Sequence, residues 1–259
     1  MKLLIDADYI VYKCAAAAET EIDFGEDLIV VTSNFTDVMK NIDRELDKIK
    51  KEFFDPTLIL FFSHPRNFRK TLYPDYKGHR NRKKPCGYVR AINALKLQHE
   101  VIIMEELEAD DALGIYATAN PGNCIVSPDK DLRQIPGLLY DLKSDTQTIT
   151  PEQGRQWHYI QTLAGDQTDG YAGVPGYGVK TSAKLFEEKG YYWETVVHAF
   201  ESKNMTEQDA LLNARLAKIL QTEDYSYEFN KFIPWCPAPA DYKVDNGAGV
   251  SDEENREAA

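Results

Sequence analysis

The segment Glu108-Ala109-Asp110-Asp111, Ala112–Ala119, Cys124-Ile125-Val126-Ser127, Asp129-Lys130-Asp131 runs acid, helix, strand, acid. Residues 112–119 read as a helix and residues 124–127 as a short buried strand. Glu108 and Asp111 are three apart, so a helix beginning here stacks them on one face. Asp129 and Asp131 are two apart just past a strand, and an extended turn aims both the same way. Carboxylates at the carboxyl ends of strands, beside a helix N-terminus, lie where open α/β sheets place their sites. Five acids this close repel one another unless a positive charge sits between them, and a pair of divalent metal ions is the expected counter-charge. Taken alone, Glu108–Asp111 is equally accounted for by the helix dipole. A calcium loop is excluded, because its sixth and twelfth positions are Gln134 and Tyr140 rather than Gly and Glu.

Working outward, a chain of 259 residues can build one large domain, or a main domain with a smaller companion. No apolar run approaches the length of a membrane span, and the start, Met1-Lys2-Leu3-Leu4-Ile5-Asp6, does not read as a secretory signal. The cysteines, Cys14, Cys86, Cys124 and Cys236, show no CxxC spacing, so reduced thiols in a cytoplasm are expected rather than zinc or disulfides. The net charge of −12 argues against a nucleic-acid partner, but its distribution argues for one. Between Arg66 and Lys96 lie ten basic residues, Arg82 among them, with only Asp75 to oppose them. Such a segment is a local footprint for a polyanion, the alternative being a solvated charged loop.

Leu3–Ile5, Leu58–Phe62, Val101–Met104, Cys124–Ser127 and Leu138–Leu142 read as strands, with Thr146–Thr150 as a hairpin partner. Leu28–Val31 is a strand or an apolar turn. Helices are expected at 9–18, 35–54 (Val38, Ile42, Leu46 and Ile49 on one face) and 87–97. The alternation gives an α/β fold with a mostly parallel sheet over residues 1–150. From Pro151 the pattern turns helical, at about 152–163, 181–189, 193–200 and 207–220, giving a helical subdomain over 151–236. Residues 237–259 lose apolar content and are expected to form an acidic disordered tail.

The acids at strand or helix ends are Asp6, Glu108, Asp110, Asp111, Asp129, Asp131, Asp166 and Asp169. All-oxygen donors favour magnesium or manganese, and two such ions suit hydrolysis of a phosphodiester. Gly173-Val174-Pro175-Gly176-Tyr177-Gly178-Val179-Lys180 opens a helix and reads as a phosphate cradle or as a sharp bend between helices. It is neither a Walker A loop nor a GxGxxG after a strand. Tyr76-Lys77-Gly78-His79-Arg80 places an aromatic beside two cations, suited to a base and a charged phosphate or to a snorkelling surface loop. His158 and His198 lie in helices and read as packing residues.

Six motifs in this order resemble the 5′-nuclease family of flap endonucleases and 5′–3′ exonucleases, above all the stand-alone phage exonucleases. They are Leu-Ile-Asp6, Tyr76-Lys77-x-x-Arg80, Glu108-Ala-Asp110-Asp111, Asp129-x-Asp131, Gly165-Asp166-x-x-Asp169 and Gly176-x-Gly178-x-Lys180. The resemblance implies a PIN-like core, a helical arch at about 66–98 and a helix–hairpin–helix-like element that grips duplex DNA, often with a potassium ion. It implies two magnesium ions, one served by Asp6, Glu108, Asp110 and Asp111, the other by Asp129, Asp131, Asp166 and Asp169. Asp6 and Asp129 then rank with Lys77 and Arg80 as catalytic. Lys77 and Arg80 position the scissile phosphate, Tyr76 stacks on a base, and Arg69 contacts a phosphate. Lys83 and Lys84 add positive charge along the strand's path, while Gly176, Gly178 and Lys180 hold duplex phosphates. The activity implied is 5′–3′ exonuclease and flap endonuclease action on DNA, extending to RNA in RNA–DNA hybrids. A monomer, a replication-protein partner and a host cytoplasm complete that expectation.

One departure stands out. Where the family carries a further aspartate after the second strand, this chain has Ser63 and His64. Three other readings use part of the same residues. A haloacid-dehalogenase-like phosphatase would take Asp6 as nucleophile and Asp8 as acid/base. A PIN-type ribonuclease shares the acidic core, and a non-catalytic DNA-junction binder draws on the Ser63/His64 change.

Overall fold

The computed structural model describes residues 1–80, 83–143 and 145–243. The chain starts in the middle of its sheet. Strand β1 (Lys2–Asp6) feeds helix α1 (Ala7–Ala17), then a hairpin of β2 (Glu19–Asp23) and β3 (Ile29–Ser33), then α2 (Phe35–Lys51) and β4 (Thr57–Phe61). The one-turn α3 (Arg69–Leu72) and α4 (Tyr88–Gln98) lead to β5 (Glu100–Ile102), α5 (Ala109–Ala119) and β6 (Cys124–Val126). A 3-10 helix (Lys130–Gln134) precedes β7 (Gly137–Tyr140) and β8 (Gln147–Ile149). Beyond these come α6 (Pro151–Ala164), the small hairpin β9 (Gly165–Asp166) and β10 (Tyr171–Ala172), α7 (Val179–Lys189), α8 (Trp193–Glu201) and α9 (Glu207–Ala217). A last short hairpin pairs β11 (Tyr225–Ser226) with β12 (Lys231–Phe232).

The main sheet has the order β5-β4-β1-β6-β7-β8, parallel except for β8. Its central strands are buried on both faces, which is why they read as unbroken apolar runs. Leu3, Ile5, Leu58, Leu60, Cys124 and Val126 point into one core with α1, α2 and α4. Leu4, Ile59, Phe61 and Ile125 point into the other, against α5. Each such side chain stabilises the fold by about 1.5–3 kcal/mol on burial. A third core lies under α6–α9, around Tyr159, Phe186, Trp193 and Phe200.

Beside β1 the connectivity switches direction, since β4 and β5 lie on one side and β6 to β8 on the other. The carboxyl ends of β1 and β6 therefore open a crevice of the kind that binds ligands in open parallel sheets.

Four expectations are revised. The partner of residues 29–33 is β2, a strand missed because Glu19-Thr20-Glu21-Ile22-Asp23 is polar and exposed. Asp129 and Asp131 start a 3-10 helix instead of an extended turn. Helix α4 buries Tyr88, Ala91 and Leu95 in the first core, so this part of the expected arch is a packed layer of the sandwich. Residues 237–243 are ordered: Pro239–Asp241 form a 3-10 turn, and Asp241 is buried with Arg155 at 3.7 Å. The rest of the expected tail, and Arg82, lie outside the described residues. Among the described residues, no helix is long and apolar enough to cross a membrane.

Candidate active site

The crevice outside β1 and β6 is lined with carboxylates held by their own backbones. Asp6 ends β1 and caps α1, its Oδ1 accepting the Tyr9 N–H at 3.3 Å. Its Oδ2 accepts the Ser127 hydroxyl at 2.8 Å, and the same Ser127 oxygen accepts the Asp129 N–H at 3.1 Å. One buried serine thus ties the ends of β1 and β6 together. Its only local signal is a serine two residues before an aspartate at a strand end. Asp129 caps the 3-10 helix, its Oδ1 accepting the Asp131 N–H at 2.8 Å.

Asp131 is set by a second relay, which has no local signal in the sequence. Gln161 Nε2 donates to Asp131 Oδ1 at 2.6 Å, and Gln161 Oε1 accepts from Gln134 Nε2 at 2.7 Å. Asp166 and Asp169 sit on the β9–β10 turn, where Asp166 Oδ1 accepts the N–H groups of Thr168 and Asp169. That turn needs a glycine at its start. Gly165 has φ +65°, and a Cβ there would lie 2.1 Å from the Gly173 nitrogen.

These acids repel one another. Burial, more than any other cause, pushes the Asp6 carboxyl up to about 6, and the charges of Asp8 and Asp129 add to it. Asp110 is raised well above the usual carboxylate range by burial and then by Asp6, Asp129 and Glu108. Burial followed by Asp129, Asp166 and Asp169 lifts Asp131 to about 7. Asp129 therefore belongs to two overlapping groups, one with Asp6 and Asp110, the other with Asp131, Asp166 and Asp169. Glu108 goes the other way: burial opposes its charge, but Lys77 and Arg69 hold it down to about 2.

A pH dependence follows. Between pH 4 and pH 7 the folded state binds more protons at Asp6 and Asp131 than the unfolded chain does. The metal-free protein therefore loses stability as pH rises through that window, whereas the contribution of Glu108 disappears only below about pH 4. Thermal melts in EDTA should show a lower Tm at pH 8 than at pH 5.5. A Tm that climbs over that interval would contradict the clustering.

Arg69 and Tyr76 are not free to meet a substrate. Arg69 is 1% exposed; its guanidinium holds Asp111 through two bonds of 2.7 and 2.8 Å and donates to the carbonyls of Leu216 and Lys218. It is a buried strut with no surface to offer a phosphate. Asp111, wholly buried, also accepts the N–H groups of Glu108 and Leu220. Its oxygens are committed, and it does not serve the metal group in which it was placed. Tyr76 is 1% exposed, with its hydroxyl between Glu108 Oε2 (3.0 Å) and Asp169 Oδ2 (2.8 Å), so it braces acids rather than stacking on a base.

Lys77 and Arg80 do reach the crevice. Lys77 Nζ lies 2.5 Å from Glu108 Oε1 and 3.6 Å from Asp169, while Arg80 Nη2 lies 2.6 Å from Asp169 Oδ1. Arg66 is paired with Glu105, so much of the basic footprint is answered by acids distant in sequence. Lys83 and Lys84 are exposed, Lys84 lying over the Tyr88 ring at 4.6 Å. Gly176, Gly178 and Lys180 are exposed at the N-terminus of α7. Gly176 needs its freedom for φ +88°, but nothing within 4 Å crowds Gly178 and its φ of −85° is ordinary.

The donor set fits a hydrated hard cation. Among the described residues, no three acids converge closely enough to enclose a metal ion directly. Magnesium takes only one or two carboxylates and keeps several waters, so a wide ring of half-satisfied oxygens suits it. Asp6, Asp110 and Asp129 are the residues that would hold one such ion, and Asp131, Asp166 and Asp169 a neighbouring one.

The comparisons with known proteins bear on the family and the fold. The family described as 5′-3′ exonuclease, N-terminal resolvase-like domain, matches residues 1–156. The exodeoxyribonuclease of Enterobacteria phage T3 is 28% identical over 280 residues, covering 91% of this chain and 92% of its own. The exonuclease of Escherichia phage T7 is also 28% identical, over 91% of this chain and 93% of its own. The T5 D15 protein, crystallised with metal ions, shares the fold at 14% identity, with a TM-score of 0.60 over 85% of this chain and 90% of that one. With an acidic crevice at the switch point of its parallel sheet and a family match over its first 156 residues, the chain belongs to the 5′-3′ exonuclease family and is a nuclease.

Proposed function

We propose that the chain is a magnesium-dependent 5′–3′ exonuclease and 5′-flap endonuclease of DNA, able to act on RNA in RNA–DNA hybrids, and that it works as a monomer alongside a replication protein. The observation that carries this is the gathering of Asp6, Asp110 and Asp129 from β1, α5 and the end of β6 into one crevice, with Lys77 and Arg80 at its edge. Two divalent ions, when bound there, supply an activated water and neutralise charge on the leaving oxygen. The protein's own part is positional. Ser127 and the cap bonds fix the carboxylates before substrate arrives, so no reorganisation is needed at the moment of reaction. Lys77 and Arg80 exchange Glu108 and Asp169 for the scissile phosphate. Gly178, with no steric or conformational need inside the protein, leaves the first N–H groups of α7 open to a duplex phosphate, and Lys180 adds its charge. The phosphatase reading is set aside, because the family match over residues 1–156 is to a 5′-3′ exonuclease domain.

The test is nucleotide release from duplex DNA labelled at the 5′ or the 3′ end, with magnesium or EDTA. Early, magnesium-dependent loss of the 5′ label is expected; early loss of the 3′ label, or release in EDTA, overturns the reading. Lys77→Ala should lower kcat by about a hundredfold with little change in KM, as for a group that acts in the transition state. A raised KM with unchanged kcat would assign Lys77 to binding alone.

A further inference from the structure

Strand β4 ends at Phe61, which pairs in register with Asp6, so the residues just past it flank the acidic crevice. No carboxylate follows in sequence. The Ser63 hydroxyl oxygen accepts the Ala109 N–H at 3.0 Å, and His64 Nδ1 accepts the Arg66 N–H at 3.2 Å. Neither offers a charged oxygen. A carboxylate nevertheless stands at this spot, delivered from a different element.

Asp8 lies in the first turn of α1, two residues after Asp6. Its Oδ2 accepts the backbone N–H of Ser63 at 2.8 Å, and its Oδ1 accepts the Tyr88 hydroxyl at 2.6 Å. Two bonds, one to the end of β4 and one to α4, pin the carboxylate beside Ser63. Ser63 in turn touches the residue preceding Asp110. The negative charge of Asp8 also repels that of Asp6. A carboxylate has about four lone-pair positions. The two bonds to Asp8 leave about half of them for a water or a cation, unlike Asp111, whose oxygens are taken by Arg69 and two backbone N–H groups.

We propose that Asp8 supplies the carboxylate that Ser63 and His64 do not, so that a hydrated divalent cation at the β4 side of the crevice is held from α1 instead of from the strand. This rests on the nuclease reading of the cluster. Asp8 is a half-buried residue pinned by an exposed backbone N–H and a tyrosine, and it replaces a residue more than fifty positions away in sequence. The substitution is one of place, not of chemistry.

The test is Mn2+ binding to the full chain, followed by the electron paramagnetic resonance of free Mn2+. The variants are Asp8→Asn, Asp8→Asn with Ser63→Asp, Tyr88→Phe and, as reference, Asp6→Asn. Asp8→Asn should weaken binding about tenfold or more, a loss of the size seen for groups that support a metal site. Adding Ser63→Asp should recover most of it. Tyr88→Phe, which removes a hydrogen bond but no charge, should lower Tm and weaken Mn2+ binding less than Asp8→Asn does. Unaltered affinity in Asp8→Asn, with affinity lost in Asp6→Asn, overturns the proposal and leaves the cluster standing. A loss that Ser63→Asp fails to recover overturns it too, because Asp8 would then act by holding Ser63. Unaltered affinity in Asp6→Asn as well would remove the cluster reading itself.

Discussion

Asp110→Asn lowers cleavage by at least about a thousandfold and, at pH 8 in EDTA, raises the melting temperature. The two effects have one cause. Asp110 faces Asp6, Asp129 and Glu108, which together with burial drive its carboxyl well above the usual range. A neutral isostere removes one member of that repulsion, so the metal-free fold gains stability. The same change removes a charge on which a divalent cation depends. A structural residue behaves otherwise, losing activity and stability together. Parallel nuclease assays and melts separate the cases: a destabilised, inactive variant would mean that Asp110 is needed for folding, and an active one would remove it from the chemistry.

The second large effect falls on stability. Arg69→Met leaves Asp111 buried with an unpaired charge and should destabilise the protein by about 3–5 kcal/mol. For a chain of this size that corresponds to a Tm lower by roughly 6–10 °C. Both side chains are at most 1% exposed, so solvent does little to screen the pair. Arg69→Met combined with Asp111→Leu should recover only part of the loss, since it removes the unpaired charge but leaves the Leu216 and Lys218 carbonyls and the Glu108 and Leu220 N–H groups without those partners. Had Arg69 been the phosphate contact that the family resemblance implies, the single variant would weaken DNA binding and leave the melt unchanged. Differential scanning calorimetry beside a DNA-binding isotherm decides which.

The contrast between Asp110 and its neighbour shows where the sequence is legible. Unbroken apolar runs such as Leu58–Phe62 announce strands buried on two faces, and the Val38, Ile42, Leu46, Ile49 spacing announces α2, because both signals are local. Acids at strand ends are local too, and Asp6 closes β1 directly after its apolar run. Partnership is not local. Nothing near residue 69 indicates that its guanidinium reaches carbonyls near residue 217, and nothing near Tyr76 indicates Asp169. A buried arginine and a surface arginine look alike until the chain closes over one of them. Ser127 and Gln161 went unread for the same reason, since their roles exist only through Asp6 and Asp131.

Those long connections bear on how the protein can be divided. Gln134, in the sheet half, donates to the Ala217 carbonyl and accepts the Ile219 N–H, and it also bonds Gln161. Asp111 accepts the Leu220 N–H, and Arg69 takes the carbonyls on either side of Ala217. A fragment that stops near residue 150 would leave all of these groups buried or newly wetted without their partners, at about 1–3 kcal/mol each. The halves share packing as well as hydrogen bonds, since Ile219 packs into the second core and Leu220 and Tyr225 pack with Phe68, Leu107 and Ile115. Heat should melt them in a single transition. Recombination that swaps one half for a distant relative's would have to bring the matching strip at the end of α9, Leu216 to Leu220, along with it.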